Sequence, residues 1–127
     1  MQPPVQTIRI DRAHKLVEVH LSGFFTAEDA AWTGEELRAA ILSLGLAPGE
    51  HVTLYDATEL NVAPNATVEA VKSMFANPSV RPLWARKVAI ITRSALARLQ
   101  IRRLREARAD IAIFAERDAA VDWLLAA

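Results

Sequence analysis

Hydrophobic positions fall into two rhythms along this chain, one with a period of two and one near 3.6, and the switches between them outline the elements. In the run Leu16 to Ser22, Val17, Val19 and Leu21 alternate with Glu18, His20 and Ser22, the pattern of a strand with one well-buried face. Thr7 to Ile10 precedes it across the polar connection Asp11 to Lys15, so the pair reads as an antiparallel hairpin. His51 to Asp56 is the next strand. Lys87 to Thr92 and Ile111 to Phe114 contain unbroken apolar runs, as expected of strands buried on both faces.

Between these runs the helical rhythm takes over. Thr26 is placed to cap a helix with Asp29 reaching back, and Ala30, Leu37, Ile41 and Leu44 recur on one face until Gly45, which predicts a helix of about 18 residues. Thr58 to Ala63 reads as a strand-to-helix loop. Asn65 is the predicted N-cap of a second helix with Val68, Val71 and Phe75 on one face, ended by Asn77-Pro78. A third helix is expected from Ser94 to Arg108 and a fourth from Arg117 onward. The order is β-β-α-β-α-β-α-β-α. With crossovers between parallel strands right-handed, the expectation is an α/β fold: a mixed sheet of about four to five strands with a parallel core, the hairpin as an antiparallel edge, and helices packed on the sheet.

Composition narrows the function classes. A chain of 127 residues is about one domain, so a single unit over residues 1–127 is expected, with residues 1–4 flexible. The absence of cysteine excludes disulfides, thiol catalysis and thiolate metal sites. No apolar run is long enough to span a bilayer and no secretory signal pattern opens the chain, so a cytoplasmic location is expected. Fifteen basic residues balance fifteen acidic ones, which gives no overall pull toward nucleic acid. Most of the basic residues nevertheless fall after residue 80 and most of the acidic ones before it, a pattern met either by mutual pairing or by one basic and one acidic face.

The element order, together with three stretches, resembles the STAS domains and more closely their anti-anti-sigma-like branch, related to CRAL-TRIO lipid-binding domains. Val52-Thr53-Leu54-Tyr55-Asp56-Ala57-Thr58 is similar to the strand that ends in an acidic residue before the family's regulatory loop, and Val88-Ala89-Ile90-Ile91 to the parallel strand that follows. Ile111 to Leu124 resembles the terminal strand and helix, with Phe114 closing the strand and Trp123-Leu124 on the helix. The resemblance implies a non-enzymatic regulatory or scaffolding module. The chain departs from the family where anti-sigma antagonists carry a phosphorylated serine beside a glycine: here the segment is Ala63-Pro64-Asn65-Ala66-Thr67. Thr67 is the nearest hydroxyl, either a phosphate acceptor at a helix start or a plain helical residue.

The remaining chemistry is sparse. His14, His20 and His51 lack the spacing that puts two ligands on one helical face, no nucleophile elbow is present, and Gly23, Gly34, Gly45 and Gly49 form no phosphate-binding loop. No enzyme, metal or cofactor is therefore expected. Asp56 stands at the carboxyl end of a central strand, either facing a ligand or paired with Thr58. Arg98, Arg102 and Arg105 make a basic stripe on the third helix, a solvated face or a dock for an acidic partner or lipid headgroup. Trp32, among Ala27, Ala30, Ala31 and Gly34, and Trp84 in its proline-flanked loop read as core, or as part of an apolar pocket or homodimer contact. Two functions follow. The first is docking of a protein partner through the loop Asp56 to Thr67 and the arginines; the alternative is a small carrier of a lipid or other amphiphile, with its acidic head near Arg98 or Arg102.

Overall fold

The computed structural model describes residues 2–126. Its strands β1 (Val5–Asp11), β2 (Leu16–Gly23), β3 (Val52–Leu60), β4 (Lys87–Ile91) and β5 (Ala112–Phe114) form one sheet in the order β1-β2-β3-β4-β5. The first pair is antiparallel and the rest are parallel, as the alternation of strands and helices predicts. Helices α1 (Ala27–Ser43), α2 (Asn65–Ala76), α3 (Ala95–Leu104) and α4 (Arg117–Leu125) complete the fold, with a short 3₁₀ turn at Arg81–Leu83. No helix among the described residues is long and apolar enough to cross a membrane.

The period-two rhythm sorts the central strands into two cores. Val52, Leu54, Ala89 and Ile91 join Leu16 under Ala120 and Leu124 of α4. Ala57, Val88 and Ile90 face the other way, toward Val68 of α2 and Ile101 and Leu104 of α3. The α4 side is held by cations at the helix's carboxyl end: Lys87 Nζ donates to Trp123 O at 2.7 Å and Arg86 Nη2 to Leu124 O at 3.2 Å. Both offset the exposed carbonyl dipoles there. On this face Arg117 forks onto Glu18 at 3.0 and 2.9 Å; on the other, Arg103 pairs with Glu69 and Lys72 with Glu106. The charge asymmetry between the two parts of the chain is thus met in part by mutual pairing.

Element ends differ from the sequence expectation in instructive ways. β3 runs on to Leu60 instead of stopping at Asp56, because β2 continues to Gly23 and offers it a partner, Ser22 opposite Glu59 and Gly23 opposite Leu60. β4 leaves β3 at Asp56, and beyond it the β2–β3 register shifts, so that only Glu59 and Leu60 of the last four residues pair, and with β2 alone. Thr26 caps α1 as predicted: its Oγ1 accepts from Asp29 N–H and Asp29 accepts from Thr26 N–H. Asn65 does not cap α2. Pro64 occupies that position with no side-chain bond, its ring pre-set for entry, and Asn65 becomes the first helical residue. α3 stops at Leu104, so Arg105 is its C-cap and Arg108 lies beyond it.

The expectation of flexibility at residues 1–4 falls partly on Met1, which lies outside the described residues. Gln2 and Pro3 are anchored: the Gln2 carbonyl accepts from Phe24 N–H at 3.1 Å, and the Pro3 carbonyl sits against Gly23.

Candidate functional site

Three helices cover the α2–α3 side of the sheet, and they do not close on it. α1 packs chiefly on α2, and its buried residues are confined to Ala30 and Thr33 although it is 17 residues long. Its inward residues Leu37 and Ile41 therefore face a cavity of about 520 Å³ instead of the sheet. The floor is Thr53, Tyr55 and Ala57 of β3 with Val88 and Ile90 of β4; Val71 and Phe75 of α2 and Ile101 and Leu104 of α3 form the walls. Ala30, Ala31 and Gly34 line α1's side, which is where small residues on a helix leave room for something apolar. Exposed Glu35, Arg38, Asn77 and Ser79 also border the space, marking its way to solvent. A volume in this range suits a small-molecule site in a protein of any size.

One end of the cavity is polar. Trp84 lines it and carries two cations on its ring: the guanidinium carbons of Arg81 and Arg108 lie 4.8 and 4.6 Å from the indole centroid. Arg108 is only 4% exposed. It donates from Nη2 to Ala85 O at 2.7 Å and from Nε to Asp110 at 2.8 Å, which holds the Asp110 carboxyl below its usual range. Burial pushes the neighbouring Tyr55 phenol up to about 12, only partly countered by the Arg108 charge, so the phenol stays protonated. The Trp84 Nε1 and His51 Nε2 atoms are buried without a hydrogen-bond partner.

Burial, and next the Arg108 charge, pushes the His51 imidazole below its ordinary value of 6.5. A lowered value in the folded state means the unfolded chain binds the proton first. The stabilising contribution is complete above pH 6.5 and declines as pH falls below it. Urea unfolding at pH 7.5 and 5.5 should therefore show a stability loss at the lower pH that is reduced in a His51→Phe variant; an unchanged slope would contradict this.

The residues singled out in the sequence are dispersed. Asp56 takes the local option, its Oδ1 accepting from Thr58 N–H at 3.0 Å and Thr58 Oγ1 at 2.7 Å. Thr67 is buried and its hydroxyl donates to Phe25 O at 2.8 Å, tying α2 to the segment before α1. Asn65 accepts from Arg103 instead of capping its helix. Arg105 folds back to donate to Ile111 O at 2.8 Å, which shortens the expected stripe to Arg98 and Arg102. Neither of those lines the cavity, so they are not its polar end. Trp84 does line it, whereas Trp32 is 45% exposed on α1.

Sequence reasoning missed Arg108, Gln100 and the outer leucines of α3. Gln100 straps α3 to the segment ahead of α2, donating to Ala63 O at 2.7 Å and accepting from Ala63 N–H at 3.2 Å. Leu96 and Leu99 are 62% and 56% exposed beside Arg98 and Arg102. Their signal was present: apolar residues at i and i+3 on the face opposite Ala97, Ile101 and Leu104 do not belong to a simple amphipathic helix.

No family model matches the sequence, and no curated protein matches it either. Solved structures do. The chain is similar to a DUF3478-family protein with a SpoIIAA-like fold from Shewanella loihica PV-4, at 21% identity and a TM-score of 0.69, over 98% of this chain and 95% of that one. It is also similar to an anti-sigma factor antagonist from Mycobacterium paratuberculosis, at 9% identity and a TM-score of 0.66, over 96% and 94% of the two chains. At these identities the likeness concerns the fold, which is STAS-like.

Proposed function

We propose that this protein is a non-enzymatic STAS-like regulatory module that docks an acidic, amphipathic protein segment on the outer face of α3. The observation that carries this reading is the pair Leu96 and Leu99, the two most exposed leucines on a helix whose inner face is already packed, with Arg98 and Arg102 running along one side of them. Two leucines offer apolar contact, and two arginines offer forked donors to carboxylates. That chemistry selects a segment with apolar anchors beside acidic residues. The solved anti-sigma factor antagonist of similar fold supports a regulatory role of this kind. Neither Asp56 nor Thr67 presents a reactive group, since the first is held by a local bond from Thr58 and the second is buried and bonded to Phe25 O.

The test is comparative. Partners recovered by the parent protein from a lysate of its source cells are identified and reconstituted as purified components with a Leu96→Asp/Leu99→Asp variant and an Arg98→Glu/Arg102→Glu variant. Loss of at least about tenfold in affinity with both variants is expected, given 2 kcal/mol or so for a central interface anchor. A reconstituted partner that binds both variants as tightly as the parent overturns the assignment of this face.

The cavity favours a second reading, carriage of an amphiphile between the sheet and the helices. Native mass spectrometry of the purified protein should then reveal a bound mass that disappears after delipidation. If the delipidated protein takes up no apolar probe, carriage fails.

A further inference from the structure

We infer that the polar end of the cavity is a carboxylate site, so that the occupant is a carboxylic amphiphile with its head beside Trp84 and Arg108 and its tail under α1. This rests on the carriage reading and adds to it the chemistry and the direction of the ligand.

Donors outnumber acceptors around Trp84 and Arg108. Indole N–H and guanidinium groups donate and cannot accept. Trp84 Nε1 is buried and has no partner. A buried donor left unpaired costs free energy, and a ligand acceptor would remove that cost. Arg108 has Nε and Nη2 taken up by Asp110 and Ala85, and its Nη1 makes no hydrogen bond among the described residues. Tyr55, on the cavity floor, is kept protonated by its burial against the opposing Arg108 charge and so can donate as well. All three side chains line the cavity, and the rest of its inner surface is mainly aliphatic and aromatic. Donors therefore gather at one end of an apolar space, and the matching head group is one that only accepts.

The charge balance selects carboxylate over phosphate. Asp110 already offsets much of the Arg108 charge. What remains is one partly offset cation with a few neutral or shared donors, which suits a single negative charge on two oxygens better than a dianion on three. Arg81 stacks on the same indole but is exposed and does not line the cavity, so it leaves this balance unchanged.

The experiment uses the delipidated full chain and three probes of equal tail length, dodecanoate, dodecanol and dodecyl phosphate, by isothermal titration at pH 7.5. Dodecanoate should bind at least about tenfold more tightly than dodecanol, the size of one charge-assisted hydrogen bond. Trp84→Phe keeps an aromatic ring but removes the indole N–H. It should weaken dodecanoate by about three- to tenfold and leave dodecanol nearly unchanged. Arg108→Lys serves as a second variant that retains the buried charge; it should shrink the preference for dodecanoate, because the ammonium cannot reproduce the guanidinium's separate donors. Equal binding of dodecanoate and dodecanol overturns the carboxylate assignment and leaves carriage standing. Tighter binding of dodecyl phosphate overturns the choice of head group, and no binding of any probe overturns both the inference and the carriage reading.

Discussion

Truncating Leu54 to alanine should cost about 4 kcal/mol, while the same change at Ile90 on the opposite face should cost about 2 kcal/mol. Leu54 is fully buried between β2, β4 and α4, in contact with Ala120 and Leu124, so its removal leaves a void that flanking strands cannot fill by relaxing. Ile90 is nearly as buried, yet it forms part of the cavity floor, and one side of its side chain already lacks neighbours. Atoms that face a void make fewer dispersion contacts, so deleting them forfeits less. Urea unfolding of both variants measures the difference directly. Equal losses would mean that the α1–α3 side is as tightly packed as the α4 side, and the cavity would lose its standing as a site.

Gly23→Ala should destabilise by about 2–3 kcal/mol, a large effect for one methyl group. Gly23 has φ +87°, a backbone geometry that side chains disfavour, and a Cβ there would lie 2.0 Å from the Pro3 carbonyl oxygen. Backbone, unlike a flexible side chain, cannot swing aside without breaking something. Here the break would be the bond from Phe24 N–H to the Gln2 carbonyl. The two contributions separate in a chain lacking residues 1–3: without the Pro3 carbonyl only the backbone strain remains, and the penalty should fall to about 1 kcal/mol. A full penalty in the shortened chain would refute the steric part.

How much of this was legible in the sequence depended on the range of the interactions. The strands at Val52, Val88 and Ile111 were readable because unbroken apolar runs have few other uses, and the Thr26 cap because its partner Asp29 is three residues away. The end of β3 was not, since it is set by the length of β2, some 40 residues earlier. Asn65 misled for a related reason. Its propensity as a cap is local, but Arg103 reaches it from α3 and Pro64 already provides the turn. The cavity was half visible: the run of small residues around Trp32 hinted at space beside α1, yet its polar end is built from Trp84 and Arg108, which no spacing rule links. The arginine stripe came apart because the helix ended one turn early and delivered Arg105 to the β5 side.

The strand order has a consequence for where small molecules fit. From β2 to β5 every new strand is laid beside the last and on the same side, so the winding never reverses. Open α/β sheets whose winding does reverse acquire a ready-made crevice at that point, where two neighbouring loops diverge. This sheet has none, and its carboxyl rim is closed by tight local bonds such as that between Asp56 and Thr58. Room arises instead from a covering layer that stands away from the floor, so the space runs along the face of the sheet beneath α1, α2 and α3 and reaches solvent past Glu35, Arg38, Asn77 and Ser79 rather than at the strand ends.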